Sequence, residues 1–493
     1  MGQQIDKQVA IIGTGPSGTA TRWALQALNV TFVVFDANLR EESEFLNSTG
    51  EQIVRTESKL KFGSDLPYRH FRYGPIIQTG NTKIRSSFTK GGLSEVWGAT
   101  LLPYQQDTIE KWGLRWQDFE NAYNFILKRL PYASFSNNPK SGFGEYGRPK
   151  RMHIHPLFHN ATKIKTNINQ IEFGASRLAI QVKDSEGRGC YYCNQCLNGC
   201  PDGYIWSASH SQDELSPGDV NTRPGIRVIE IYEKNEDIYV KGISEEGRLE
   251  EIGPFGKVFL GCGPIETFRI LSQSGYIPNT TLLYDSPTFY FPLISRKFSF
   301  SSQGFGIALS QLYCHLQGNP DKSEFHFQVY AQSDALIERI INMFPPAKLI
   351  PRSIWRILTK RVLVCIGYRE SGADTQIRVT RAEDGGILCE DGYKVSKFQL
   401  KKEIRKRLFL SIRDIWKAGF LFTGLGIKVG APGEGVHYGA NLQHDSSITH
   451  DGKIIKSNGI YVVDSSALQS ISAGPITLTI MANAYRIAKG AFS

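Results

Sequence analysis

No apolar run in the 493 residues approaches the roughly 18 positions that a helical bilayer crossing requires. A transporter or channel built of membrane-spanning helices is thereby excluded. Repeats at a fixed period and low-complexity tracts are also missing, so neither a solenoid nor a linker-like disordered chain is expected. A secretory leader has no room, because the first strand-like segment, Gln8 to Ile12, starts almost at Met1. Gly2 could begin a myristoylation signal, but Asp6 stands where that signal has Ser or Thr. These absences lead to the expectation of a cytoplasmic protein. Cysteine is sparse outside one segment, and Cys262, Cys314, Cys365 and Cys389 read as isolated buried thiols. What remains is an ordinary globular composition, 41% hydrophobic and 21% charged, in a chain long enough for two or three domains.

Acid is the scarcer charge, with 47 Asp and Glu against 57 Lys and Arg, a net +10. Such an excess favours anionic substrates, acidic partners or a membrane surface. It concentrates in two stretches. In Lys348 to Arg361, five cations interleave with Leu349, Ile350, Ile354, Trp355, Ile357 and Leu358. In Lys394 to Lys417, Lys401, Lys402, Arg405, Lys406 and Arg407 fall in a helix-like run. Solvated helix faces account for both, and peripheral attachment at the inner membrane face is the alternative for the first. No recognition motif accompanies the charge, so nucleic acid is not an expected partner.

The first 36 residues read strand, tight turn, helix, strand. The turn Gly13-Thr14-Gly15-Pro16-Ser17-Gly18 fits G-x-G-x-x-G, and a helix is expected over Thr19 to Leu28. The first glycine permits the turn, the second lets backbone approach a pyrophosphate, and the third lets helix pack on strand. The helix N-terminus adds free N–H groups and a dipole suited to phosphate. Asp36 ends the second strand, 18 residues beyond Gly18, where a carboxylate can accept from a ribose hydroxyl. This unit predicts dinucleotide binding without distinguishing NAD from FAD.

Three further segments resemble the glucose–methanol–choline (GMC) oxidoreductase family. Lys90 to Ala99, with Gly91, Gly92, Ser94, Trp97, Gly98 and Ala99, is similar to the family's flavin-side loop. Val258 to Thr267, with Gly263 at its turn, resembles the second strand-to-helix turn near the adenine half. Gly459 to Ser466, with Asp464 and Ser465, and then Thr477 to Ala482, resembles the closing segment that returns to the flavin. The likeness covers the first 110 residues, roughly 186 to 276, and 434 to 493. It implies an α/β fold: a Rossmann-like FAD-binding domain (1–110, 186–288 and 430–493) beside a mixed-sheet α+β substrate domain (111–185 and 289–429). The loop is most similar to the pyranose oxidase and FAD-dependent sugar dehydrogenase branch. There a histidine before the tryptophan can bond to FAD, whereas this chain has Val96, so non-covalent FAD is expected.

The resemblance places the catalytic base at His437, in Val436 to Asn441. Imidazole suits removal of an alcohol proton as hydride leaves the same carbon. The family's usual second His or Asn falls on Pro475, whose side chain neither donates nor accepts. His444 and Ser472 are the substitutes considered.

Cys190, Cys193, Cys196 and Cys200, followed by Pro201, reproduce the spacing of a bacterial ferredoxin run within a segment spanning 190–201. Iron–sulfur, zinc, and disulfides or free thiols are the readings open to them. Taken together, the expectation is an FAD-dependent dehydrogenase acting on an alcohol or sugar-like substrate. Its electrons would pass to an external acceptor, by way of a cluster if one is present. The alternatives are a sterol or long-chain alcohol oxidase at a membrane, and a flavin-binding scaffold without catalysis.

Overall fold

The structure is a computed structural model describing residues 8–37, 77–135, 146–159, 161, 171–198, 200, 202–213, 221–297, 306–318, 323–331, 349, 351, 354, 361–444 and 446–493. The basic stretch 348–361 lies outside this set except for Leu349, Pro351, Ile354 and Arg361.

The elements used below, in chain order, begin with β1 (Val9–Ile12), α1 (Pro16–Ala27), β2 (Phe32–Asp36) and β3 (Ile171–Ala175). Next come β4 (Asn221–Pro224), β5 (Ile226–Lys234), β6 (Asp237–Ser244), β7 (Leu249–Phe255), β8 (Lys257–Leu260) and α2 (Pro264–Gln273). The middle of the chain supplies β9 (Thr288–Ser295), β10 (Leu312–Leu316), β11 (Phe325–Tyr330) and β12 (Val362–Arg369). The last are α3 (Lys397–Leu410), α4 (Ile412–Lys417), β13 (Phe420–Leu421), β14 (Ile460–Val462) and α5 (Thr477–Gly490).

A wholly parallel sheet runs β14–β8–β1–β2–β4. β1 and β2 are buried along their whole length, and the unbroken apolar runs Val9 to Ile12 and Phe32 to Phe35 follow from being covered on both faces. α1 begins three residues before the expected Thr19. Pro16 takes the first helical position, where its missing N–H costs nothing and its fixed φ suits the helix. β5, β6 and β7 form an antiparallel meander beside this sheet. The fold is therefore α/β with a Rossmann-type unit, as expected.

A second, antiparallel sheet runs β13–β9–β12–β11–β10–β3. Its strands have two chemically distinct faces because side chains alternate. On β11, Phe325, Phe327 and Val329 enter an apolar core with Phe289, Phe291 and Cys365, roofed by Ile404 and Leu408 of α3 and Ile415 of α4. His326, Gln328 and Tyr330 occupy the alternate positions of β11, and cross-strand pairing sets His326 against His315 and Tyr368. The large sheet thus covers its greasy face with helices and carries a polar, aromatic opposite face. Among the described residues no helix is long and apolar enough to cross a membrane.

Candidate active site

One cleft, enclosing ≈ 350 Å3, passes along the carboxyl ends of the parallel strands and reaches the second sheet. Gly13, Gly15, Pro16, Ser17 and Asp36 line one part of it; Gly92, Ser94, Trp97 and Gly98 line another. Gly263, Asp464, Ser465, Thr477 and His437 line it too, whereas Gly18, Gly91 and Ala99 of the expected set do not. Position beyond the strand ends is where open α/β sheets hold ligands.

The three fingerprint glycines are needed for different reasons. A Cβ on Gly13, whose φ is +100°, would stand 2.6 Å from the Gly261 carbonyl oxygen. One on Gly18 would collide with the Gly13 carbonyl, its carbon at 2.9 Å, so Gly18 packs the helix and does not line the cleft. One on Gly15 would find only the Gly91 carbonyl oxygen, at 4.0 Å. Protein packing therefore does not demand glycine at position 15, and the open space beside it faces the cleft. Asp36 is buried and accepts from the Thr14 amide at 3.0 Å and from its hydroxyl.

The loop from Gly91 to Ala99 is tied to this turn, since the Gly91 amide donates to the Thr14 hydroxyl at 3.1 Å. Ser94 donates to the Gly91 carbonyl at 2.6 Å and accepts from the Ala208 amide at 2.9 Å, so its hydroxyl holds the loop's shape. Gly91 and Ala99 stay behind the cleft wall as shaping positions; Ala99 is fully buried. Trp97 lines the cleft while its indole N–H donates to the Trp206 carbonyl at 2.8 Å. Val96 also lines the cleft and offers no nucleophile for a covalent link.

α1, α2 and α5 all direct their N-terminal ends at the cleft, through Pro16, Pro264 and Thr477, and no cap residue's side chain closes any of them. Unsatisfied N–H groups there favour negative charge. Asp464 is committed elsewhere: it accepts from the Thr267 hydroxyl at 2.5 Å and the Ser466 amide at 2.9 Å, pinning the closing segment to α2. Burial raises its carboxyl above the usual range.

His437 sits at the far part of the cleft. Its loop is held by the Gly433 amide donating to Asp285 at 2.7 Å and the Ser286 amide donating to the His437 carbonyl at 2.9 Å. The imidazole is half-buried in the cleft wall, and its partial desolvation pushes its pKa down to about 4, leaving a neutral base at pH 7. The Nδ1 has no hydrogen-bond partner among the described residues. The ring stacks on Tyr368, centroids 4.3 Å apart and planes at 23°.

Neither proposed substitute for Pro475 reaches the cleft. The Ser472 hydroxyl donates to Glu324 at 2.8 Å, and His444 bonds the Gln469 carbonyl at 2.8 Å while stacking on Tyr284. Tyr368 is the side chain that flanks His437 instead. No local motif marks it in the sequence, although a period-two count along Val362–Arg369 puts Tyr368 opposite the core face. A second omission is Arg227, which lines the cleft and bonds Glu266 at 2.9 and 3.2 Å. Arg269 joins Glu266 at 2.9 Å, all three side chains being at most 5% exposed. Burial would raise the Glu266 pKa, but the two guanidinium groups hold it below the usual range. Arg227 and Glu266 are 39 residues apart, and no local pattern announces them.

The cysteine expectation is corrected in part. Cys190, Cys193, Cys196 and Cys200 are free thiols lying outside the cleft. Among the described residues no three His, Cys, Asp or Glu side chains are gathered closely enough to hold a metal ion. Burial pushes the Cys196 thiol up to about 12 and raises Cys190. Iron–sulfur and zinc readings thus find no support in this geometry, because spacing along the chain did not become convergence in space.

No protein-family model matches the sequence, and no curated protein matches it. Among solved structures, the chain is similar to the crystal structure of pyridoxine 4-oxidase from Mesorbium loti, with a TM-score of 0.65 and 14% identity. The match covers 98% of this chain and 99% of that one. At this identity the likeness establishes the fold, over the whole chain and including the second sheet.

Proposed function

We propose that the chain is an FAD-dependent oxidoreductase of the GMC type that oxidises the CH–OH carbon of an alcohol, with sugar-like or polyol substrates the preferred class. The observation that carries this is one continuous cleft joining the dinucleotide turn to a neutral, half-buried histidine. FAD fits the residues present. The space at Gly15 and the α1 N-terminus suit its pyrophosphate, Asp36 suits a ribose, and the α5 N-terminus suits the electron-rich end of the ring. A structural neighbour named as an oxidase supports the same class.

When bound, the flavin supplies the hydride acceptor. The protein's part is to bind and orient the alcohol and to take its proton. His437 accepts the hydroxyl proton on a ring nitrogen, which its lowered pKa keeps available at neutral pH. Tyr368 fixes the imidazole plane by stacking. Val96 supports a non-covalent cofactor.

The test is anaerobic mixing of the flavin-loaded protein with sugars, polyols, hydroxymethyl aromatics, long-chain alcohols and sterols. Bleaching of the flavin band by members of one class identifies the substrate. Bleaching by none would replace this reading with that of a non-catalytic flavin-binding scaffold.

A further inference from the structure

Outside the residues that line the cleft, α3 and α4 carry a surface that catalysis does not use. α3 turns Leu400, Ile404 and Leu408 into the core, a spacing of four that fixes one face inward. The opposite face then presents Phe398, Lys402, Arg405 and Phe409, two cations between two aromatic rings. Phe398 is 75% exposed, and the apolar surface continues through Leu410 at 60%, Trp416 at 49% and Leu425 at 71%. Phe409 and Leu425 lie close together, and a cation sits on the Trp416 ring. Phe409 abuts Gly424, beside Leu425, and Arg296 donates to the Trp416 carbonyl at 3.3 Å while its guanidinium covers the indole.

Charge surrounds the apolar groups with one sign. Between Lys397 and Lys417 there are eight Lys and Arg against Glu403 and Asp414. Glu403 is engaged by Arg369 at 3.3 Å and Asp414 is buried, so the outward charge is cationic.

We propose that this α3–α4 face docks the protein on an anionic lipid bilayer. Large aromatic and aliphatic side chains ringed by Lys and Arg suit insertion at the headgroup boundary, with the cations meeting lipid phosphate and carboxylate. A two-fold dimer through the same face would set its cations against themselves, which opposes self-association. Nucleic acid would engage the cations but leave Leu410 and Leu425 exposed to water to no purpose. The proposal is independent of the catalytic reading.

Co-sedimentation of the full chain with phosphatidylcholine vesicles, with and without about 30% phosphatidylserine, tests it. Binding is expected to the anionic vesicles and to weaken with salt. Each cation near such a surface contributes roughly fivefold to partitioning, so the double variant Lys402→Gln/Arg405→Gln should bind about 25-fold more weakly. The double variant Leu410→Ser/Trp416→Ser should also lose binding, and both should keep the wild-type unfolding transition. No binding of the wild type to anionic vesicles would overturn the proposal. So would binding indifferent to Leu410→Ser/Trp416→Ser, wild-type dimers that these substitutions dissociate, or displacement from vesicles by equimolar duplex DNA.

Discussion

Replacing Gly15 with alanine separates what the fingerprint does for the fold from what it does for a ligand. Gly15 has φ −63° and ψ −176°, a conformation that alanine adopts freely. Its new methyl would meet no protein atom closer than 4.0 Å. A Gly-to-Ala change at a compatible site stabilises by about 0.4–1 kcal/mol through the unfolded chain, so the apoprotein should unfold at the same or higher urea. The methyl would nevertheless occupy the space beside the α1 N-terminus where a pyrophosphate must approach. Losing one charge-assisted N–H contact to phosphate costs about 1.5–3 kcal/mol, or roughly 10- to 150-fold in FAD affinity. Flavin fluorescence titration of wild type and Gly15→Ala gives the affinity, and urea denaturation of the apoproteins gives the stability. Gly18→Ala is the control: its Cβ collides with the Gly13 carbonyl, so it should destabilise the fold itself. If Gly15→Ala binds FAD as tightly as wild type, the turn is not a phosphate cradle and the reasoning fails.

His437→Ala should retain FAD but lower kcat by about 10²- to 10⁴-fold, the usual share of a general base. The unprotonated imidazole exists above its pKa, so kcat/KM should be flat near neutrality and fall as pH drops through about 4 in wild type; persistence of that limb in the variant would dissociate it from His437. Tyr368→Leu removes a stacked ring worth about 0.5–1.5 kcal/mol and should slow turnover roughly 2- to 12-fold, whereas Tyr368→Phe should not. Glu266→Gln leaves two buried guanidinium groups without a counter-charge and should lower the urea stability of the apoprotein by about 3–5 kcal/mol.

Sequence made the Rossmann-type unit legible because its signals are local. Unbroken apolar strands, glycines at fixed offsets and Asp36 ending β2 all lie within 36 residues. It also located His437 through resemblance, and the cleft brings that residue to the others. Pairing across distant strands left less trace. The antiparallel register that sets His326 against Tyr368, and the Arg227–Glu266–Arg269 cluster, depend on contacts between segments far apart in the chain. The cysteine run is a signal of another kind: spacing suited to a cluster does not by itself oblige the backbone to gather the thiols, and among the described residues no metal-holding group forms. The basic run 394–417 was legible as helix-like, but only burial distinguishes its inward Leu400, Ile404 and Leu408 from its exposed Phe398 and Leu410.

The most direct test of the central claim is the cofactor itself. The purified protein, saturated with FAD and freed of excess, should carry one flavin per chain, released intact by acid precipitation as the proposed non-covalent binding requires. Failure to retain FAD, together with saturable binding of NAD in the same cleft, would contradict the account.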